Sequence, residues 1–217
     1  MSTEMSANPG TDATAGAGRV QTDGRKGKTG LMFGSFNPIH TGHLVIAQHL
    51  CQHSGLEEIW FVVSPQNPLK PGQTFLPEYQ RLELVELAIT GNPLFRSCDI
   101  EFGMGSPSYT VRTLEKLRGE YGDRAFVLII GSDNLEVFRQ WKDYERILEM
   151  IEVYVYPRPG STGKSTLSHP NIKMAKAPLM EISSSMIREM IASGRDPRYL
   201  LPESVYAEIM RKGYYRA

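Results

Sequence analysis

The sequence contains little cysteine, no excess of either charge and no long apolar run. Its two cysteines, Cys51 and Cys98, lie inside segments with apolar periodicity, which favours buried thiols over a disulfide framework. Lys and Arg together number 24, as do Asp and Glu, so the chain lacks the basic surplus of a general nucleic-acid-binding protein. No apolar stretch approaches the ~18–20 residues that a membrane span requires. We therefore expect a soluble, cytoplasmic protein that binds neither nucleic acid nor a membrane.

Large apolar side chains are almost absent from residues 1–28, which are mainly Ser, Thr, Gly, Ala, Asp and Lys. Such a segment cannot bury enough surface to offset the entropy lost on ordering, and it also lacks the apolar core of a signal peptide. We expect a disordered extension over residues 1–28 and one domain over residues 29–217. The hydrophobic content of 41% is ample for the core of that domain.

Two kinds of apolar segment alternate from Gly30 onward. Short β-branched or aromatic runs predict strands at residues 31–33, 59–64, 95–102, 125–130, 152–156 and 172–177. Helical periodicity predicts helices at residues 41–54, 78–90, 109–121, within 132–150, and at 184–193 and 202–212. Strands that alternate regularly with helices imply parallel crossovers. The expected fold class is therefore α/β, a parallel sheet with helices on both faces and ligands at the carboxyl ends of its strands.

The sequence GSFNPIHTGHL (34–44) follows the first predicted strand and leads into a helix. A turn needs only the glycine and the proline, so the two histidines indicate a chemical function. Backbone N–H groups at a helix start favour an anion. His40 precedes the helix and His43 lies in its first turn, so both side chains can face the same anion. We interpret the motif as a nucleoside triphosphate site, although a single histidine here would fit an ordinary surface turn.

A second motif, ISSSMIR (182–188), has the composition of another phosphate site. Its three serine hydroxyls stand at a predicted helix start, and Arg188 follows one turn later. Either motif alone would be a weak signal. Together, they predict two groups that bind the same phosphorylated ligand.

The two motifs resemble the (T/H)xGH and ISSTxIR motifs of the nucleotidyltransferase superfamily, whose members have a Rossmann-like fold. Five further stretches resemble bacterial nicotinate-nucleotide adenylyltransferases: SPQNPLK (64–70), PSYTVRTL (107–114), GSDNLEVFRQW (131–141), YPRPG (156–160) and YLLPESVYAEIMRKGYY (199–215). The resemblance covers roughly residues 29–215. Ser35 and Ser185 stand where the family has threonine, and SPQNPLK lacks a histidine common in the family.

This resemblance implies adenylyl transfer from ATP to nicotinate mononucleotide, giving nicotinate adenine dinucleotide and pyrophosphate in NAD biosynthesis. The implied catalytic residues are His40 and His43, as donors to the triphosphate, and Arg188, as a cation beside the leaving pyrophosphate. Mg²⁺ is expected to arrive with ATP, without a metal site built from the protein. The implied ATP-binding set is Gly34, Ser35, Phe36, His40, His43, Ile182, Ser183, Ser184, Ser185 and Arg188.

The implied acceptor site uses five other residues. Trp141 is expected to stack on the pyridinium ring, where cation–π attraction also contributes. The loop carrying Tyr109 and Thr110 is expected to offer backbone N–H groups to the ring carboxylate. Asp133 would accept hydrogen bonds from ribose hydroxyls, and Lys70 would contact the mononucleotide phosphate.

Other interpretations stay open at this point. The acceptor could instead be nicotinamide mononucleotide or phosphopantetheine, or the protein could be a nucleotide sensor without turnover. The sequence does not give the oligomeric state, and a homo-oligomer is one option. GSTGKST (160–166) is not a P-loop because Arg158 stands where the first glycine belongs. His49 and His53 have metal-binding spacing but no convincing third ligand.

Overall fold

The structure is a computed structural model that describes residues 27–66, 76–105, 107–122, 124–161 and 167–216. The strands in these ranges are Lys28–Gly34 (β1), Leu56–Val63 (β2), Phe95–Cys98 (β3), Phe126–Gly131 (β4), Glu152–Tyr156 (β5) and Ile172–Met174 (β6). The α-helices are Thr41–His53 (α1), Glu78–Ile89 (α2), Thr110–Tyr121 (α3), Ser132–Glu136 (α4), Tyr144–Met150 (α5), Ser184–Ala192 (α6) and Glu203–Lys212 (α7). Short 3₁₀ helices occupy Phe138–Gln140 and Arg198–Leu200.

Every predicted strand and helix is present. β1 and β2 begin three residues earlier than predicted, and two other strands stop earlier than predicted. β3 stops at Cys98 instead of continuing to residue 102, because the next residues fold into turns in which Phe102 N donates to Asp99 O at 2.7 Å. β6 stops at Met174 instead of residue 177. It is an edge strand, and its last bond to β5 runs from Ala175 N to Val155 O, at 2.8 Å.

The six strands form one sheet in the order β3-β2-β1-β4-β5-β6, with every neighbouring pair parallel. After β1, the chain adds β2 and then β3 on one side of the sheet, and after β4 it adds β5 and then β6 on the other side. The order therefore reverses between these two strands. In such sheets ligands bind at this reversal, outside the carboxyl ends of the strands. The expected α/β fold is confirmed, and its topology indicates where the site lies.

The sheet separates two apolar layers. Successive residues of one strand point to opposite faces, so Leu31 packs in one layer and Met32 in the other. The run Ile59–Val63 is fully buried because helices cover both faces of the sheet. Both cysteines are free thiols, and burial raises the pKa of Cys51 to about 11. None of the helices in the described ranges is long and apolar enough to cross a membrane.

The predicted N-terminal extension overlaps the described residues only at its end. Residues 1–26 lie outside them. Lys28 is the first residue of β1, where its ammonium pairs with the Glu152 carboxylate. The extension therefore stays a prediction from composition.

Candidate active site

A cleft opens at the carboxyl ends of β1, β2, β4 and β5, beside the point where the strand order reverses. Its volume is about 1020 Å³, open mouth included. Its polar lining comes from Ser35, His43, Ser64, Gln66, Glu101, Ser108, Tyr109, Thr110, Asn134, Gln140, Trp141, Lys142 and Tyr156. This position brings the β1–α1 loop and the start of α3 to one cavity, although they lie far apart in the sequence.

The two motif histidines form a stacked pair at the start of α1. His40 is the N-cap residue, with extended backbone, and His43 lies in the first turn. Their ring centroids are 3.7 Å apart and the ring planes are inclined by 25°. Burial, followed by the positive charge of Arg158, lowers the pKa of His40 to about 4. Burial, with smaller effects of His40 and Arg158, holds the pKa of His43 well below its usual value. Both rings are therefore neutral at pH 7.

The hydrogen bond between the two residues determines which nitrogen of His43 carries the proton. The backbone N–H of His40 donates to His43 Nδ1 at 3.3 Å. A backbone N–H cannot accept, so Nδ1 is the acceptor and the proton of the neutral ring is on Nε2. His43 lines the cleft. Its Nε2–H is thus a donor that a bound anion can use.

Gly42 allows the His40 ring to occupy its position. A Cβ atom at residue 42 would lie 3.0 Å from His40 Nδ1 and 3.1 Å from its Cε1. These distances are shorter than ordinary van der Waals contacts. The glycine of the motif is therefore required by the packing of the histidine pair as well as by any approach of a ligand.

The serine–arginine motif is bonded to the histidine loop. Ser183 caps α6 by accepting from Met186 N at 3.2 Å, and Ser184 Oγ donates to Pro38 O at 2.8 Å. Arg188 donates to Asn37 O at 2.8 Å and to Ser185 Oγ at 3.2 Å. The two motifs predicted to share a ligand thus lie together. These contacts use two of the five N–H groups of the Arg188 guanidinium, and its predicted contact with pyrophosphate stays a prediction.

The remaining predicted ATP-binding residues have different surroundings. Gly34 and Ser35 line the cleft, and Ile182 lies beside Gly42. Phe36 is only 2% exposed and has a left-handed φ of 44°. Its ring packs edge-on against His43, with centroids 5.1 Å apart. The side chain of Phe36 therefore supports His43, and only its backbone could reach a ligand.

The sequence interpretation missed Arg81, which joins the two loops of the site. This α2 side chain is 1% exposed. Its Nη1 donates to Ser35 O at 2.6 Å and to Ser64 O at 2.8 Å, and its Nη2 donates to Pro65 O at 3.0 Å. The guanidinium thus fixes the loop after β1 relative to the loop after β2. Nothing in the helical pattern of residues 78–89 distinguishes this arginine from one on the surface.

Only part of the predicted acceptor set meets in the cleft. Tyr109, Thr110 and Trp141 line it, and the Trp141 ring is half-buried, 4.9 Å from the ring of Phe138. Asp133 is exposed and is not part of the lining. Lys70 lies outside the described residues.

Asp133 lies instead beside an arginine that the sequence interpretation left without a role. Its Oδ1 is 3.8 Å from Arg158 Nε, and a Cβ atom at Gly131 would lie 2.4 Å from that oxygen. Arg158 also lowers the pKa values of both motif histidines. The YPRPG stretch carried the family resemblance, but no local pattern indicated that its arginine would lie near the histidines.

The histidine pair set aside at the sequence level lies outside the lining of the cleft. His49 and His53 stack on α1 with centroids 4.2 Å apart, and the described residues contain no group of three or more His, Cys, Asp or Glu placed to hold a metal ion. Residues 162–166 of GSTGKST are outside the described part of the chain.

Comparison with known proteins identifies relatives of this chain. Residues 31–190 match the cytidylyltransferase-like family model. A Bacteroides fragilis protein named "Probable nicotinate-nucleotide adenylyltransferase" is 51% identical over 86% of this chain and 93% of its own length. A Cytophaga hutchinsonii protein of the same name is 47% identical over 87% of this chain and 98% of its own.

The fold also matches a solved structure, the Plasmodium falciparum nicotinic acid mononucleotide adenylyltransferase complexed with NaAD. The TM-score is 0.72 at 16% identity, over 87% of this chain and 97% of that one. At this identity the match supports the fold alone. The sequence relatives and the family model are closer, and from them we conclude that the chain belongs to the nicotinate-nucleotide adenylyltransferases of the cytidylyltransferase-like family.

Proposed function

We propose that the protein transfers the adenylyl group of ATP to nicotinate mononucleotide, releasing pyrophosphate and forming nicotinate adenine dinucleotide. The observation that carries this proposal is the neutral His40–His43 pair at the start of α1. It is bonded through its loop to the start of α6, and it borders a cleft that also contains Trp141. This arrangement supplies donors for a triphosphate next to a flat aromatic surface for the acceptor.

The reaction requires no nucleophile from the protein. The 5′-phosphate of the mononucleotide attacks the α-phosphorus of ATP in line, the bond to the β-phosphate oxygen breaks, and pyrophosphate leaves with that electron pair. A phosphate is already ionised at neutral pH, so a strong general base is unnecessary. The protein then contributes by positioning the reactants and by stabilising charge on the phosphoryl oxygens.

His43 supplies one such donor through Nε2–H. Because the ring is neutral and its Nδ1 is already bonded to the His40 backbone, it donates a hydrogen bond without transferring a proton. The N–H groups at the start of α1 add the positive end of the helix dipole. Arg188 donates to Asn37 O of the same loop, and we propose that its remaining N–H groups neutralise charge on the leaving pyrophosphate.

Mg²⁺ is proposed to enter bound to the phosphates of ATP and to neutralise part of their charge. The residues of this site fit that form of binding better than a metal held by the protein. The described residues provide no cluster of three or more ligating side chains, and Mg²⁺ in nucleotide sites is held largely by substrate phosphates and water.

The acceptor is proposed to bind with its pyridinium ring on Trp141 and its ring carboxylate at the start of α3. Tyr109 precedes that helix and Thr110 is its first residue, so the free backbone N–H groups of the first turn are available to the carboxylate. Asp133 and Lys70 remain proposed contacts of the ribose and the phosphate.

A pyrophosphate-release assay with ATP, Mg²⁺ and a panel of acceptors tests this proposal. We expect turnover with nicotinate mononucleotide, less by a factor of about 10² or more with nicotinamide mononucleotide, and none with phosphopantetheine. Turnover only with phosphopantetheine would contradict the assigned acceptor. Binding of ATP without pyrophosphate release from any acceptor would favour a nucleotide sensor.

A further inference from the structure

The end of the chain returns to the loop that carries the two motif histidines. Helix α7 ends at Lys212, and Gly213 and Tyr215 follow with left-handed φ values of 68° and 63°. This turn brings the Tyr215 ring to the β1–α1 loop, where its hydroxyl donates to Asn37 Oδ1 at 2.8 Å. A non-glycine residue seldom adopts a positive φ, so the contacts of Tyr215, and not its local preference, hold it in this position.

Asn37 is the residue at which this contact meets the proposed ATP site. It is fully buried, and its Oδ1 also accepts from the backbone N–H of Leu76 at 3.3 Å. Its backbone oxygen accepts from Arg188 Nη1 at 2.8 Å, and the next carbonyl, that of Pro38, accepts from Ser184 Oγ. The C-terminal tyrosine therefore holds the side chain of Asn37, while the backbone of Asn37 holds the arginine of the second motif.

The Leu76 contact determines the direction of the hydrogen bond from Tyr215. A backbone N–H can only donate, so the atom of the Asn37 amide that faces it is the oxygen. Tyr215 bonds to the same oxygen and must therefore donate. Burial raises the pKa of Tyr215, against the opposite effect of the Arg188 and Arg81 charges, so the hydroxyl keeps the proton that this bond needs.

The position of Asn37 affects both phosphate-binding motifs. Asn37 follows Phe36, whose ring packs against His43, and it precedes His40 by three residues. Arg188 is joined to the same loop through the carbonyl of Asn37. A shift of this residue would therefore change the position of the arginine relative to the histidines. Such small displacements lower the rate of a reaction that depends on positioning, even when they start far from the reacting atoms.

We propose that Tyr215 is a positioning residue for adenylyl transfer, whose hydroxyl fixes Asn37 and thereby the alignment of Arg188 with the motif histidines. The assignment rests on the proposed function, because it takes Arg188 and the histidines as the groups that face the phosphates of ATP. Tyr215 does not line the cleft, so it acts through the loop and not through contact with the acceptor.

The test removes only the hydroxyl, in Tyr215→Phe, and uses two controls. Tyr214→Phe is the matched control, because Tyr214 is the adjacent tyrosine and is also half-buried, but its hydroxyl is not the one bonded to Asn37. Ile209→Val controls for lost stability, because it shortens a fully buried side chain of α7. Its cost is similar to that of one hydrogen bond, and it removes no polar group.

Two measurements separate alignment from folding. Calorimetry gives the dissociation constants of ATP and of nicotinate mononucleotide, together with the number of sites per chain, and the pyrophosphate-release assay gives kcat. We expect Tyr215→Phe to lower kcat about tenfold, as for a displacement of less than 1 Å at catalytic groups. ATP should bind about 2–10-fold more weakly, as for a weakened hydrogen bond.

The acceptor should be affected much less. Nicotinate mononucleotide should bind Tyr215→Phe within about twofold of the wild-type affinity and with the same number of sites, since its proposed contacts lie outside the β1–α1 loop. Tyr214→Phe and Ile209→Val should match the wild type in kcat, in both affinities and in the number of sites.

A double-mutant cycle tests whether the effect passes through Asn37. In Asn37→Ala the tyrosine hydroxyl has lost its acceptor, so adding Tyr215→Phe should change kcat by less than about twofold. The same tenfold loss in this background as in the wild type would overturn the assignment. If Asn37→Ala does not fold, the single variants decide it.

Two further results would overturn the assignment. If Tyr215→Phe has the kcat and the ATP affinity of the wild type, the hydroxyl does not align the site. If Tyr215→Phe, Tyr214→Phe and Ile209→Val lower kcat and the number of sites alike, Tyr215 only stabilises the fold. A wild-type protein that binds ATP but makes no dinucleotide would instead refute the proposed function, and the ATP affinities of Tyr215→Phe and Tyr214→Phe would still decide the role of Tyr215.

Discussion

Replacing Gly42 with alanine should separate the activity of the protein from its stability. The new Cβ atom would lie 3.0 Å from His40 Nδ1, whereas ordinary contacts begin at 3.4 Å, so the ring must move by 0.4 Å (3.4 minus 3.0) or more. His40 is stacked on His43 and 3% exposed, so we expect the two rings to move together. A displacement of about 1 Å at a catalytic group costs about 10²-fold in rate, and about half of that displacement should lower kcat roughly tenfold.

Stability should change much less in the same variant. Residue 42 lies in the first turn of α1 and its φ is not positive, so alanine is compatible with the backbone. The helix gains about 0.5–1 kcal/mol from alanine over glycine, which offsets the crowding. We expect the free energy of unfolding to stay within about 1 kcal/mol of the wild type.

Gly119→Ala is the control for this comparison. Gly119 also lies inside a helix, α3, but a Cβ atom there would meet nothing within 4 Å. This variant should be slightly stabilised, with unchanged kcat. Steady-state kinetics and urea unfolding on both variants provide the measurement. A Gly42→Ala enzyme with wild-type kcat would refute the claim that the position of the histidine pair limits catalysis.

Three further predictions address the histidines and the acceptor site. His43→Ala should lower kcat about 10²–10³-fold, as for one lost transition-state donor, with a smaller effect on the KM of the mononucleotide; near-wild-type turnover would exclude His43 as that donor. Trp141→Ala should raise the KM of the mononucleotide about tenfold, the effect of about 1–2 kcal/mol of stacking, and should leave the KM of ATP unchanged; an equal rise in both would mean that Trp141 only packs against Phe138. On acidification the free energy of unfolding should fall between pH 6.5 and 4, because the unfolded chain protonates a histidine that stays neutral in the fold. For His40, with its pKa lowered to about 4, the loss is about 3 kcal/mol; a urea titration series showing the same pH slope in His40→Gln and the wild type would contradict that origin.

The order of secondary structure could be predicted because each element has its own local pattern. The run Ile59–Val63 is apolar at every position, which is typical of a strand buried on both faces. Gly55 stands after α1 with a positive φ of 67°, as a helix-terminating glycine does. The predicted ends of β3 and β6 were wrong. An edge strand stops where its pairing with the neighbouring strand ends, and a single segment does not encode that pairing.

The site could be predicted only in part, and the limit has a physical cause. His40, His43 and Arg188 belong to motifs whose residue types indicate phosphate binding. Arg81 instead acts through burial and through contacts with segments distant in the sequence. An arginine is usually exposed, so no local signal separates this one from residues on the surface.

Isotopic labelling tests most directly whether the α-phosphorus of ATP is transferred to the mononucleotide. The protein is incubated with nicotinate mononucleotide, Mg²⁺ and ATP labelled either at the α-phosphorus or at the γ-phosphorus, and the products are separated. We expect α-label in nicotinate adenine dinucleotide and γ-label in pyrophosphate, with both signals lowered in His43→Ala. Label from the γ-position on the mononucleotide, or α-label remaining in free adenine nucleotides, would contradict adenylyl transfer.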